Sequence, residues 1–335
     1  MTGPGRMRAG ETGAGVTGAD VTDTHAIPGP RQAEPGSPVC PPGWLALREP
    51  ADAAARAPEL VERLRGYLGG HLTGDRTVVR DLGCGTGSMG RWLAGRLSAD
   101  TADTGDTPDI ADPAGTPDPA GTGQHWVLHD RDTALLERAV ASLPDGITAE
   151  TCAGDLTGLD AARLAGTSLV TASALLDLLT ADEVEDLAEA CTGAGCPALL
   201  TLSVTGSVWF APSEPLDDAF AAAFDAHQRR VAGGRALLGP DAADTAAAAF
   251  RRRGAAVVVA PSPWRLDPDR PGLIEAWLRG RLAAACAQRP ELGSAAGAYL
   301  RRRLGALADG ELAVVVGHAD LLALPPADPA TGGHR

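Results

Sequence analysis

The stretch Val78–Ala94, VVRDLGCGTGSMGRWLA, decides how the chain is read. An apolar, β-branched opening of strand character runs into a glycine-dense turn and then into an amphipathic segment of helical spacing. Strand, turn and helix in this order open doubly wound α/β folds, in which the bare backbone of the turn approaches a ligand beyond the carboxyl end of the strand. Two registers fit the turn. One is Asp81-x-Gly83-x-Gly85-x-Gly87; the other, Gly85-x-Gly87-x-x-Gly90, matches the dinucleotide fingerprint. Asp81 separates them, because a carboxylate at the strand end repels a pyrophosphate lodged on the same turn and attracts an ammonium or a sulfonium.

The same alternation continues on both sides. Strand patterns fall at Thr77–Leu82, His125–His129, Ile147–Thr151, Ser168–Ala172, Ala198–Val204, Ala255–Ala260 and Leu312–Val316. Helical patterns fall between them, at Ser88–Leu97, Thr133–Leu143, Ala181–Cys191, Pro215–Arg230, Asp241–Arg253, Pro271–Ala287 and Ser294–Leu307, and one or two helices precede the turn from Trp44. Strands separated by helices predict a mostly parallel, seven-stranded, doubly wound α/β sheet covered on both faces. Asp132 is expected as a helix N-cap, and Thr180 with Glu183 as a capping box.

Composition sets the outer limits. A chain of 335 residues with 44% hydrophobic content buries a substantial core. The net charge of -14 argues against nucleic acid, whose binding rests on neutralised phosphates, and against anionic membrane surfaces. No run nears the roughly 20 apolar residues of a membrane span, and the chain opens without the apolar core of a secretory signal. A cytoplasmic protein is expected. Its six cysteines are scattered without a Cys-x-x-Cys pair, and lysine is absent, which removes Schiff-base chemistry and the lysine of a P-loop. Residues 1–38 read as a disordered arm, 44–325 as one catalytic domain and 326–335 as a tail. Within the domain, 98–123 reads as a disordered acidic loop with six Asp and no basic residue, and 205–240 and 271–308 read as helical cap insertions.

The run DLGCGTG, with the acids that follow at the expected spacing, resembles motif I and its successors in class I S-adenosylmethionine-dependent methyltransferases. The resemblance spans about Val78 to Val204, plus the pattern at Leu312–Val316, which corresponds to that family's antiparallel edge strand. It implies a Rossmann-like methyltransferase fold, S-adenosyl-L-methionine as cofactor and transfer of a methyl group to a small-molecule acceptor by in-line displacement. It assigns Asp81 to the methionyl ammonium, Gly83, Gly85 and Gly87 to close backbone approach, and Cys84 to main-chain contacts. Asp130 is assigned to the ribose hydroxyls, Asp155 to the adenine amino group, Leu156 to a ring nitrogen through its amide, and Ala172 to main-chain packing beside the adenosine. The chain departs from the family in its long acidic loop before the second strand. It also lacks Asn-Pro-Pro-Tyr or Asp-Pro-Pro-Tyr after the fourth, which argues against methylation of base or amide nitrogens.

A sulfonium is an activated donor, so the acceptor site needs little more than alignment, exclusion of water and, for a hydroxyl, a base. Candidates concentrate in Ser203–Pro240: Trp209, Phe210, Phe220 and Phe224, each of which packing on the sheet also explains, and His227 as a base. Trp264 and Arg265 could reach the same mouth. His129 reads as structural, and His318 carries no assignment. The region Pro271–Leu307 offers a lid or a homodimer surface. No metal-ligand spacing appears. The competing readings are a nicotinamide-dependent oxidoreductase using Gly85, Gly87 and Gly90, a transferase using another part of the cofactor or its decarboxylated form, and a non-catalytic methyltransferase-like binding protein.

Overall fold

The computed structural model describes residues 40–71, 76–98, 123–155 and 158–326. The expected arm, the interior of the acidic stretch, Leu156 and the tail beyond 326 lie outside the described residues.

Two helices, α1 (Pro42–Ala55) and α2 (Pro58–His71), lead into β1 (Thr77–Leu82) and α3 (Ser88–Leu97). Then come β2 (Gln124–Asp130), α4 (Thr133–Ala141), β3 (Thr148–Ala153), β4 (Leu169–Ser173), α5 (Ala181–Gly193) and β5 (Ala198–Ala211). The second half comprises α6 (Asp217–Gln228), a hairpin of β6 (Val231–Ala232) and β7 (Arg235–Ala236), α7 (Ala242–Arg252), β8 (Ala256–Pro261), β9 (Trp264–Leu266), α8 (Pro271–Gln288), α9 (Gly293–Ala308) and β10 (Ala313–Leu324). Local chemistry fixes several starts. The Asp132 carboxylate caps α4 by accepting from the amides of Ala134 and Leu135. Thr180 and Glu183 form a reciprocal capping box on α5, worth about 1 kcal/mol.

The main sheet has the order β3-β2-β1-β4-β5-β10-β8, with β9 added alongside β10. Strands β1 to β5 pair in parallel, whereas β10 is antiparallel to β5, β8 and β9. Strand order turns back between β2 and β4, so β1 stands at the switch point where an open sheet leaves a crevice. Both faces are covered, as the uninterrupted burial of β4 requires. Helices α5 and α7 pack one face through Val184, Leu187, Ala246 and Phe250. Helices α2, α3 and α4 pack the other through Leu64, Trp92, Leu93 and Leu136.

Two strands differ from expectation. The closing strand is antiparallel but not at the edge: it lies between β5 and β8, and it runs to Leu324 instead of ending near Val316. The polar stretch Gly317-His318-Ala319-Asp320 breaks the apolar alternation, yet two register shifts absorb it and pairing resumes. Asp320, 1% exposed, is satisfied there by the amides of Leu202 and Ala57 and the hydroxyl of Ser262. Likewise β5 continues to Ala211, so the expected insertion 205–240 begins as strand, with Trp209 and Phe210 paired to Val315 and Val314. Beyond the core sheet, β5, β10 and β9 form a three-stranded extension. Helix α8 covers it through Leu273, Ile274 and Leu278. Phe220 of α6 and Tyr299 of α9 meet at 4.8 Å to complete the cap.

Candidate functional site

The turn after β1 is built for close approach. Gly87 has φ 84°, and a Cβ there would lie 3.1 Å from the backbone of Ala139, so any side chain strains the turn and displaces α4. Gly85, with φ 57°, donates its amide to Asp130 Oδ2 at 2.9 Å, tying the turn to the tip of β2. Gly90 faces away, against Leu143 and Trp126, and serves the packing of α3 on the sheet.

Above this turn lies a cavity of about 900 Å³. Asp81, Gly83, Cys84, Gly85, Asp130 and Asp155 all line it. Gly87 closes the turn behind them. Ala172 is buried at 1% exposure beneath the wall, which Ser173 and Ala174 supply instead. Ala174 is a non-glycine residue at φ 52°, directly after the tip of β4.

Asp81 is 1% exposed, and its Oδ1 accepts from the Thr171 hydroxyl at 2.8 Å while Oδ2 has no partner. Burial pushes its carboxyl up to about 7, against the pull of Thr171 and Arg56. A half-satisfied buried carboxylate is costly unless a cationic or donor group completes it. Asp130 takes the Gly85 amide on Oδ2 and the Asp132 amide on Oδ1, and each oxygen retains a lone pair. Asp155 is exposed and lies 3.7 Å from Arg131.

None of the expected acceptor-site residues lines the cavity. Phe220 packs within the cap, Trp209 is 58% exposed on β5, and Phe224 lies under Arg281. His227 is buried, and burial lowers its pKa. Trp264 is buried on β9, where its indole N–H donates to Asp52 at 2.9 Å; Arg265 is exposed beside it. His318 packs against Trp264 with the rings tilted and their centroids 5.2 Å apart, and burial pushes its pKa down to about 3. The His129 Nε2 accepts from Arg80 at 2.5 Å, and burial, then Arg80, lower its pKa to about 4, so it is a neutral structural group.

Another part of the lining comes from elements to which the sequence assigned no site residue. Helix α1 contributes Cys40, just ahead of its start, then Leu45, Arg48 and Asp52 at helical spacing, with Leu45 over Gly85. Arg48 is held by Asp52 through Nε at 2.8 Å and stacks over Trp264 at 5.1 Å. Arg235, on the β6–β7 hairpin, reaches across to Glu183 at 2.6 Å and to the Leu178 carbonyl at 3.0 Å. The leucines Leu175, Leu178 and Leu179 line the intervening stretch, and Asp177 among them is pushed up to about 6 by burial. Among the described residues no group of His, Cys, Asp and Glu could hold a metal ion, and no helix is long and apolar enough to cross a membrane.

No protein-family profile and no curated protein matches the chain. Solved structures do. An S-adenosylmethionine-dependent methyltransferase from Thiobacillus denitrificans, in complex with S-adenosyl-L-homocysteine, is 16% identical over 83% of this chain and 96% of its own, with a TM-score of 0.39. A counterpart from Geobacter sulfurreducens, also with S-adenosyl-L-homocysteine, is 16% identical over 83% and 97%, with a TM-score of 0.36. A putative methyltransferase from Bacillus halodurans is 12% identical over 79% and 99%, with a TM-score of 0.39.

Proposed function

We propose that the cavity binds S-adenosyl-L-methionine and that the protein transfers its methyl group to a small-molecule acceptor. The observation that carries this reading is Asp81: a buried carboxylate at the tip of the central strand, lining the cavity, with one oxygen lacking any partner. Such a group calls for a positive charge and repels a diphosphate. The antiparallel β10 between β5 and β8 also departs from the all-parallel order of dinucleotide folds, which weighs against the nicotinamide alternative.

The residues present fit the cofactor. Asp81 would take the ammonium, the spare lone pairs of Asp130 the ribose hydroxyls, and Asp155 the adenine amino group, while Gly83 and Gly85 leave room for the chain between them. When bound, the cofactor supplies a methyl group already activated on a sulfonium. The protein's part is then to orient, to keep water out and to hold the acceptor in line. Leu45, Leu175 and Leu178 line the wall as a dry surface. Arg48, clamped between Asp52 and Trp264, is a rigid polar group on the same wall.

Titration calorimetry tests this. S-adenosyl-L-homocysteine should bind in the micromolar range, and Asp130→Ala should weaken it by roughly tenfold or more, the effect of losing hydrogen bonds to a charged acceptor. Tighter binding of NADH than of either adenosyl ligand would favour the oxidoreductase. Tight adenosyl binding without turnover on a broad panel of acceptors would favour a non-catalytic role.

A further inference from the structure

Arg48, on α1, lines the cavity with its side chain 14% exposed. Its guanidinium is held on one edge and one face. Nε donates to Asp52 Oδ2 at 2.8 Å and Nη2 to Asp52 Oδ1 at 3.2 Å, so one carboxylate takes the edge made by Nε and the nearer hydrogen of Nη2. Cζ lies 5.1 Å from the centre of the Trp264 ring, and the Trp264 indole N–H donates to the same Asp52 Oδ1 at 2.9 Å. A guanidinium carries five N–H groups in a fixed plane, of which Asp52 uses two. The other edge, Nη1 with the second hydrogen of Nη2, has no partner among the described residues. Two parallel N–H bonds on that edge match the two oxygens of a carboxylate. A carboxamide offers the same edge one oxygen and turns a donor toward the second N–H.

Strand order sets this group apart from the residues that would hold the adenosine. Asp130 ends β2 and Asp155 follows β3, on one side of β1; β4, β5, β10 and β9 lie on the other, and Arg48 rests on Trp264 of β9. Leu175 and Leu178, from the segment after β4, line the same cavity and give it an apolar stretch. At about 900 Å³ the cavity is near the upper end for small-molecule sites, with room for a second molecule beside a cofactor.

We propose that Arg48 is a specificity-determining residue for the methyl acceptor, its open edge binding a carboxylate on an otherwise apolar small molecule whose body meets Leu175 and Leu178. Asp52 and Trp264 are positioning residues that hold the fork in place. This rests on the cofactor reading above and names the class of molecule that shares the cavity. The carboxylate is the handle by which that molecule is held, since the fork takes both of its oxygens.

The test titrates matched acids and amides into the full-length protein by NMR, with and without S-adenosyl-L-homocysteine: benzoate and benzamide, phenylacetate and phenylacetamide, cinnamate and cinnamamide, hexanoate and hexanamide. Wild type should bind at least one acid about tenfold or more tighter than its amide, the effect of two charge-assisted hydrogen bonds. Arg48→Met should abolish that preference, and Arg48→Lys, which keeps the charge without the planar edge, should shrink it. By calorimetry S-adenosyl-L-homocysteine should bind both variants within about twofold of wild type. Thermal melting of the ligand-free proteins reports whether each folds, and Arg48→Lys, which retains a cation for Asp52, carries the test if Arg48→Met does not. Wild type that prefers no acid to its amide, or a preference that survives in folded Arg48→Met, overturns the proposal and leaves the cofactor reading standing. Parallel loss of S-adenosyl-L-homocysteine and acid binding in the folded variants assigns the fork to the cofactor and also overturns it. Wild type that binds no S-adenosyl-L-homocysteine, yet prefers acids in a manner dependent on Arg48, sinks the cofactor reading and keeps the carboxylate site.

Discussion

Asp81 links structure to pH in two opposite ways. An ammonium ligand needs the carboxylate, so affinity for S-adenosyl-L-homocysteine should fall below about pH 7 by up to about tenfold per unit. Asp81→Asn should bind weakly at every pH, without that slope, as calorimetry between pH 5.5 and 8 would show. Stability runs the other way. The folded carboxyl holds its proton up to about 7 and the unfolded one releases it near 3.8, so the contribution of this group to stability is lost as pH climbs between those values. Asp81→Asn should therefore gain stability over wild type on going from pH 4 to pH 8, on the order of 2–4 kcal/mol by urea titration. His129 and His318, held neutral with pKa values of about 4 and about 3, act in the opposite sense. Unfolding exposes them to protonation, so their contribution rises with pH up to the ordinary histidine range, and only the difference between variant and wild type isolates Asp81. At this scale the sequence was most readable where a strand tip and a glycine turn fix a side chain: Asp81 and Asp130 stand on the cavity. It was least readable for the acceptor wall. Aromatics such as Phe220 are read by size, and size serves a helical cap as well as a binding site.

Elements were legible in type and centre, and less so in length. The start of α5 was marked because its capping box is local chemistry, and the same Glu183 also holds Arg235 of the hairpin. Glu183→Ala should cost about 1–3 kcal/mol, more than a cap alone, and Glu183→Gln less, measured by urea denaturation. Gly87→Ala should be costlier still in function. It forces a side chain at φ 84° against Ala139, destabilising by about 1–3 kcal/mol and shifting the turn on which Asp130 depends. The full lengths of β5 and β10 escaped the sequence because their continuations are made regular only by each other. Gly206 at φ 78° and the polar break at Gly317 look like strand ends until the partner strand supplies the register. Helix α1 was visible as a helix, but nothing in an amphipathic pattern says whether its polar residues meet water or a cavity.

At the level of the whole molecule, doubly wound topology was implied by alternation alone, while the attachment of the cap was not. Arg303 of α9 is 1% exposed and fastens three elements: it donates to the Pro212 carbonyl at 2.5 Å beyond β5 and pairs with Asp217 at the start of α6. The Arg301–Arg303 triplet reads from sequence as helix-end charge, and only the fold distinguishes the buried member from its exposed neighbours. Arg303→Met should remove the cation beside Asp217, leaving it the Tyr299 hydroxyl and the Glu214 amide, and destabilise by about 3 kcal/mol. Binding of 5′-methylthioadenosine to the folded fraction should be unchanged, because the fastening is remote from Asp130; calorimetry below the melting point checks this.

The place of β10 has a bearing on how the polypeptide reaches this state as it is made. Every other described element precedes β10, yet it separates β5 from β8. During synthesis the first five strands can associate as they emerge, whereas β8 has no neighbour in the main sheet until the ribosome has released the residues up to Leu324. Until then the flank of β5 is an open template for strands of other nascent chains. A stop codon that removes β10 would leave that template exposed for good, and the expected product is an aggregate, not a shortened protein.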